Sequence, residues 1–276
     1  MSTKVWFITG ASRGFGRVWA QAAAQRGDKV VATARSLKSL DYLSTYGGAV
    51  LPLALDVTDR NAVFATIARA QGHFGRLDVV INNAGYGLFG TLEETTEAQA
   101  RAQLETNFFG SLWVIQAALP IMRAQSAGHL LTVSSLSGIT TFPTASVYGA
   151  SKWALEGLCE TLSKEVAGFG IKVTLIEPGG YDTDWRGSSA QHATKLEAYA
   201  GLRTQLAAAS GHRTLGDPAA TAQAILTVVD AKEPPLRILL GANAVDIAAR
   251  TYADRVAVWN EWEPVSSAAQ AQSAAA

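Results

Sequence analysis

Three features of the 276-residue sequence predict an α/β fold, a doubly wound parallel sheet of about seven strands with helices on both faces. Seven short apolar runs recur along the chain, they alternate with segments of helical periodicity, and glycine-rich turns stand at the carboxyl ends of the first runs. Runs that are apolar throughout, rather than at alternate positions, suit strands covered on both sides, as in a parallel sheet. Ligands of such sheets gather at the carboxyl edge, where the strand order reverses.

The first run, Val5-Trp6-Phe7-Ile8, stops at Thr9-Gly10-Ala11-Ser12-Arg13-Gly14-Phe15-Gly16 and is followed by the helical pattern Val18, Trp19, Ala22, Ala23. A strand that enters a helix through a glycine turn opens a βαβ unit of Rossmann-like type. Its glycines let the backbone approach a pyrophosphate, whose charge is received by the free N–H groups at the helix N-terminus. The spacing here is G-x-x-x-G-x-G, not the commoner G-x-G-x-x-G, and such a segment can also be only a turn. Lys29 to Arg35 is the second strand. Ala34 stands where an NAD-binding unit usually carries an acid for the ribose 2′-hydroxyl, and Arg35 follows it. Arg35 with Arg13 suits a 2′-phosphate, which favours NADP(H) over NAD(H); the alternative is two solvated arginines.

Ala49 to Leu55 is the third strand and ends in Asp56-Val57. Asp56 either accepts from an adenine amino group or caps the helix that begins near Asp59. Leu77 to Ile81 is the fourth, and its Asn82-Asn83-Ala84-Gly85 end both forms a turn and leaves room for a ribose. A helix from about Ala98 to Met122 contains Asn107, which needs a partner in so apolar a setting. Gly128 to Val133 is the fifth strand, leading to Ser134-Ser135, and Ile171 to Ile176 is the sixth, closed by Glu177-Pro178-Gly179-Gly180. The alternation lapses over 181–216, which reads as a substrate loop or lid. Asp217-Pro218 opens a helix to about Asp230, with Asp as cap and Pro at the first position, and Leu236 to Leu240 is the last strand. Residues 266–276 are mostly Ala, Gln and Ser and are expected to fray. No linker-like break divides the chain, so 1–276 reads as a single domain.

Between the fifth and sixth strands lies Tyr148-Gly149-Ala150-Ser151-Lys152. On a helix Lys152 falls one turn beyond Tyr148 on the same face. An ammonium beside the phenol favours the phenolate and moves a pKa of about 10 toward neutrality. Alone, the pair also fits a packed ring and a solvated surface charge.

Composition narrows the classes. The hydrophobic share of 48% and charged share of 17% describe a well-buried globular chain. Twenty-three basic residues balance twenty-three acidic ones, which leaves no electrostatic footprint for nucleic acid or an anionic membrane. The lone Cys159 excludes an intramolecular disulfide and fits a reducing compartment. With no secretion signal and no apolar run of spanning length, a cytoplasmic location is expected. His73, His129, His192 and His212 show no ligand spacing and fall away from Ser135, so neither a serine hydrolase nor a metal centre is expected.

Taken in order, these motifs resemble those of the short-chain dehydrogenase/reductase family over about Lys4 to Gly180, and the compact branch around hydroxysteroid and retinol dehydrogenases in particular. Thr9-Gly10-x-x-x-Gly14-x-Gly16 is that family's glycine turn in its own spacing, and Asn82-Asn83-Ala84-Gly85 resembles its motif after the fourth strand. Asn107, Ser135, Tyr148 and Lys152 fall where the family places its catalytic four. The resemblance implies NADP(H) held by Gly10, Ser12, Gly14, Phe15 and Gly16 at the phosphates and by Arg35 and Arg13 at the 2′-phosphate. It implies Asp56 and Val57 at the adenine, Asn83, Ala84 and Gly85 at its ribose, and Pro178, Gly179 and Thr183 at the nicotinamide carboxamide. Ser135 would hold a substrate carbonyl, Tyr148 would exchange its proton, Lys152 would bind the nicotinamide ribose, and Asn107 would hold a water. Tyr86, Phe89 and Phe142, with Tyr181 and Trp185, could wall an apolar cleft, which implies a bulky hydrophobic ketone or secondary alcohol. A homodimer or homotetramer through the helices near Asn107 and Tyr148 is implied too. The rival reading is a non-catalytic NADP(H)-binding sensor, which would not need the intact four.

Overall fold

The computed structural model describes residues 3–210 and 214–270. The seven expected strands form with ends shifted by at most two residues: β1 (Val5–Ile8), β2 (Lys29–Ala34), β3 (Val50–Ala54), β4 (Val79–Asn82), β6 (Gly128–Val133), β7 (Ile171–Pro178) and β9 (Arg237–Leu240). They pair in parallel in the order β3-β2-β1-β4-β6-β7-β9. The chain therefore builds outward from β1 to β3, then resumes on the other side of β1 with β4. The switch point lies between β1 and β4, where the ends of neighbouring strands open a crevice.

The continuous apolar character of β1 has a direct cause. Val5 and Phe7 enter the core beneath α2 (Arg60–Phe74), α4 (Gly110–Gln125) and α5 (Ser146–Val166), while Trp6 and Ile8 enter the opposite core beneath α1 (Gly14–Gln25) and α7 (Thr221–Asp230). All four are buried, so neither face of the strand tolerates a polar residue. The single Cys159 is buried in the first of these cores.

The helix expected from about Ala98 to Met122 is not continuous. It forms α3 (Glu97–Leu104), a π turn over Glu105–Phe109, and α4. Thr96 caps α3 in a capping box with Gln99. The π turn carries Asn107, whose side-chain bonds are described below; such insertions commonly mark functional positions.

The described residues of 181–216 are more ordered than the composition suggests. They contain β8 (Gln191–His192), short 3-10 turns at Asp184–Arg186 and Glu197–Tyr199, and α6 (Ala200–Ser210). β8 pairs in parallel with β5 (Leu88–Phe89), and strands of two residues are too short to leave an alternation signal. Buried Glu94 fastens the segment further, accepting from Leu196 N at 2.8 Å and from Arg203. Asp217 and Pro218 begin a 3-10 turn that leads into α7, as the cap pattern predicts. A final helix, α8 (Ala244–Ala268), has no counterpart in the sequence reading and runs three residues into the stretch expected to fray; 271–276 lie outside the described residues. None of the described helices is long and apolar enough to cross a membrane.

Candidate active site

The glycine turn is buckled to the end of β4. Thr9 N donates to Ile81 O at 3.0 Å, and Thr9 Oγ1 accepts from Asn83 N and Ala84 N, each at 3.0 Å. Asn83 Nδ2 returns bonds to Thr9 O and Gly10 O, both at 3.0 Å. Gly10 and Gly14 take φ of +65° and +53°, where a side chain is strained. A Cβ on Gly16 would stand 2.4 Å from Asn83 Nδ2 and 2.5 Å from Gly10 O. The first turn of α1 has no side-chain cap and no acid, so its N–H groups meet no anion from the chain itself. That combination of bare N–H groups and glycine backbone fits a phosphate.

Other expected cofactor residues lie along the same edge. Thr183 approaches within 3.8 Å of where a Gly14 Cβ would be, and Gly179 N donates to Leu240 O at the end of β7. Val57 is packed against Gly110, and Gly85 lies beside Asn107. Asp56 Oδ1 accepts from Thr58 N and Oγ1, forming a turn, while the cap of α2 is Asp59. Arg35 stands exposed just past β2. Arg13, expected at the same 2′-phosphate, is instead engaged by Asp184 at 2.5 Å and Ser188 at 3.2 Å, because its extended N-cap backbone sends the side chain across to the 181–190 segment.

One contributor was invisible in the sequence. Tyr42 donates to Ala11 O at 2.6 Å from the 3-10 stretch Leu37–Ala49, and the Arg17 guanidinium lies 4.2 Å over its ring. The contact spans 31 residues and has no periodic signature.

The four residues expected to be catalytic converge. Tyr148 and Lys152 lie one turn apart on α5 at 5% and 7% exposure. Ser135 caps the 3-10 turn Leu136–Gly138, its Oγ accepting from Ser137 N at 3.0 Å, and its hydroxyl acts on the Tyr148 phenol. Asn107 Oδ1 accepts from Tyr86 N, and its Nδ2 donates to Tyr86 O and Ser151 Oγ, each at 3.1 Å. Ser151 Oγ in turn donates to Tyr148 O at 2.7 Å, which ties the π turn to the first turn of α5.

The electrostatics differ from the expectation of an acidified phenol. Burial pushes Tyr148 up to about 12, opposed by the Ser135 hydroxyl. Burial pushes Lys152 down to about 8, opposed by the Glu156 carboxylate one turn on. Lys152 Nζ donates to Val133 O at 2.8 Å and stands 5.7 Å from the Tyr148 ring centroid, so the backbone carbonyl, not the phenol, is its partner. The pair at neutral pH is a neutral phenol beside an ammonium.

An aromatic wall closes over this pair. The Trp185 ring lies 5.0 Å from Tyr148 and 5.0 Å from Phe89, and His192 stacks on Phe89 at 5.4 Å. His192, expected away from the site, thus joins its outer wall because β8 pairs with β5. Gly87 is required here, since a Cβ would come 2.7 Å from the Trp185 ring. Phe142 is 40% exposed, and Tyr86 contributes mainly backbone, its hydroxyl being buried without a partner. Tyr181 turns away from this wall and packs edge-on to Phe15 at 5.1 Å and against Gly216. His129 is buried against Thr174 and His73 packs on Phe74, while His212 lies outside the described residues.

A parallel sheet with a glycine turn at its switch point, and a Ser, Tyr and Lys cluster beside it, defines a Rossmann-like dinucleotide-binding protein. The family model for short chain dehydrogenases matches residues 4–194, and the chain belongs to the short-chain dehydrogenase/reductase family of oxidoreductases. It is 43% identical over 271 residues to Oxidoreductase BOA17 of Botryotinia fuckeliana, covering 96% of this chain and 99% of that one. It is 36% identical over 245 residues to a 3-ketodihydrosphingosine reductase of Bacteroides thetaiotaomicron, covering 87% and 89%. A crystal structure of a short-chain dehydrogenase from Streptomyces avermitilis superposes with a TM-score of 0.89 at 40% identity, over 97% of this chain and 98% of that one. An alcohol dehydrogenase from Thermococcus sibiricus, complexed with 5-hydroxy-NADP, gives 0.71 at 27% identity over 87% and 96%. A family member from Burkholderia phymatum in complex with NAD gives 0.78 at 26% over 92% and 95%.

Replacing Gly16 with Ala is expected to force Asn83 off Gly10 O and to cost roughly 1–3 kcal/mol as an overpacked site. Chemical denaturation checks this, with a lowered midpoint at unchanged slope as the expected result.

Proposed function

We propose that the protein is an NADP(H)-dependent oxidoreductase that interconverts a bulky, hydrophobic ketone and a secondary alcohol. The observation that carries this reading is the buried Tyr148, within the influence of the Ser135 hydroxyl and one helical turn from Lys152, at the carboxyl edge beside the glycine turn. The bound nicotinamide supplies the hydride. Gly10, Ser12, Gly14, Phe15 and Gly16 offer backbone to its phosphates and Arg35 a cation to its 2′-phosphate. Asp56 and Val57 serve the adenine, Asn83, Ala84 and Gly85 its ribose, and Pro178, Gly179 and Thr183 the carboxamide. Arg13, held by Asp184, tethers the segment that carries Trp185 to the glycine turn.

Ser135 donates to the substrate carbonyl and stabilises the charge that develops on its oxygen. Tyr148 gives that oxygen its proton and takes it back in the reverse direction. The ammonium of Lys152 compensates the phenolate left behind. Asn107, clamped by Tyr86 and Ser151, fixes the position of the helix turn from which Tyr148 projects. A phenol pushed up to about 12 is present as the acid at neutral pH, which favours ketone reduction. Trp185, Phe89 and Phe142 support an apolar substrate, as does the likeness to a protein named as a ketodihydrosphingosine reductase. Likeness to an NADP-type complex and to an NAD complex supports either cofactor, and Arg35 without an acid at Ala34 favours NADP(H). A homo-oligomer in a reducing, cytoplasmic compartment completes the reading.

A panel of bulky aliphatic and aromatic ketones, followed by nucleotide absorbance, is expected to show turnover with NADPH well above NADH; preference for NADH would contradict the cofactor assignment. Tyr148→Phe is expected to lose roughly 10²–10⁴-fold in turnover while NADPH still binds. Unaltered turnover would contradict Tyr148 as the acid, whereas nucleotide binding with no turnover by the unaltered protein would leave the sensor reading. Reduction should hold from pH 6 to about 7.5 and decline as pH rises through about 8, where Lys152 loses its charge, whereas alcohol oxidation, which consumes a phenolate, should climb over that window.

A further inference from the structure

Helix α8 uses only half of one face on its own subunit. In its first three turns Ala244 and Ala248 are buried, at 3% and 5% exposure, and Ala248 packs with Leu136 and Ile139. Arg255 donates to Ile139 O at 2.6 Å and lies 4.8 Å over the Trp153 ring. At 3.6 residues per turn Trp259 continues the line of Ala248 and Trp262 that of Arg255. The body ends before they are reached. Every residue from Val256 to Ala268 is exposed, with Trp259 at 62% and Trp262 at 58%. Val256, Val258 and Val265 flank them and are exposed as well. Together these side chains present on the order of 500 Å² of apolar surface, near the upper end for the largest patch on a monomer.

We propose that the outer half of α8 is a subunit contact, in which two copies of the chain pair their α8 helices antiparallel across a two-fold axis at Trp259. Three observations select a second copy as the occupant. A two-fold contact doubles the patch to roughly 1,000 Å² of apolar area, and its polar rim brings it to the lower bound of stable interfaces. Arg255 and Glu263 each lie four residues from Trp259, so an antiparallel crossing there sets Arg255 of each copy against Glu263 of the other. The helix also carries Asp246, Asp254, Glu261 and Glu263 against only Arg250 and Arg255, with no lysine, which disfavours an acidic lipid surface. This surface differs from the helices near Asn107 and Tyr148 through which an oligomer is implied by the family resemblance.

The test is the mass of the full chain in solution, by sedimentation equilibrium across a concentration series. The unaltered protein is expected to be at least dimeric. Trp259→Glu with Trp262→Glu should reduce the assembly by one step, with the association constant falling by about 100-fold or more, while far-UV circular dichroism stays the same. Glu263→Arg should weaken it by about tenfold, and Arg255→Glu combined with Glu263→Arg should restore it. Phe169→Glu, an exposed residue elsewhere, is the control. A monomer at tens of micromolar, or tryptophan variants of unaltered mass, would overturn the proposal. So would a monomer that binds neutral or acidic lipid vesicles with a blue shift of tryptophan fluorescence. Mass is read without substrate or nucleotide, so this outcome is independent of the catalytic assignment.

Discussion

Burial of a phenol and an ammonium on adjacent turns of α5 is the constraint around which the rest of the molecule is arranged. Both groups are removed from water, and each meets a partner fixed by the sheet: Ser135 just beyond β6 for Tyr148, and Val133 O at the end of β6 for Lys152. The remainder of α5 supplies the anchor, since Leu155, Cys159, Leu162 and Val166 are buried along the same helix. Desolvation works oppositely on the two groups, holding the phenol neutral and weakening the ammonium's hold on its proton. A neutral phenol beside an ammonium follows from the packing, without a direct bond between the two side chains.

Two hydrogen-bonded junctions hold that pair against the groove. At the switch point, Thr9 and Asn83 bind the glycine turn to the end of β4, which fixes where a phosphate can sit. On the other side, the π turn at Asn107 joins the backbone of Tyr86 to Ser151 and so to α5. Both junctions begin in the five residues that follow β4. The width of the crevice is thereby set by one short segment bonded on each side. The aromatic wall is attached to that segment too, through the pairing of β5 with β8.

The strands, the glycine turn and the gathering of Ser135, Tyr148 and Lys152 were legible because each leaves a local pattern. Apolar runs buried on both faces, left-handed glycines and a Tyr-x-x-x-Lys spacing are properties of neighbours in the chain. What stayed hidden depends on distant contacts. Tyr42 reaches Ala11 across 31 residues, and Arg13 finds Asp184 across 171. Asn107 was recognisable as a polar residue needing a partner, but the π turn that reaches this partner was not, since helical periodicity continues through it. Strands of two residues cannot show alternation, so the order within 181–216 and the placing of His192 were missed. The sign of the phenol's shift was missed for a related reason: spacing brings Lys152 near Tyr148 but says nothing of how deeply both are buried.

That neutrality of Tyr148 is open to direct observation. Tyrosine labelled with carbon-13 at Cζ, titrated by NMR in the nucleotide-free protein and assigned by the signal that the Tyr148→Phe variant loses, reports the ionisation of this one group. A resonance that holds its protonated position up to pH 10, in line with a pKa of about 12, is the predicted result. A midpoint below about 8 would contradict it and return the phenol to the acidified state that spacing alone suggests.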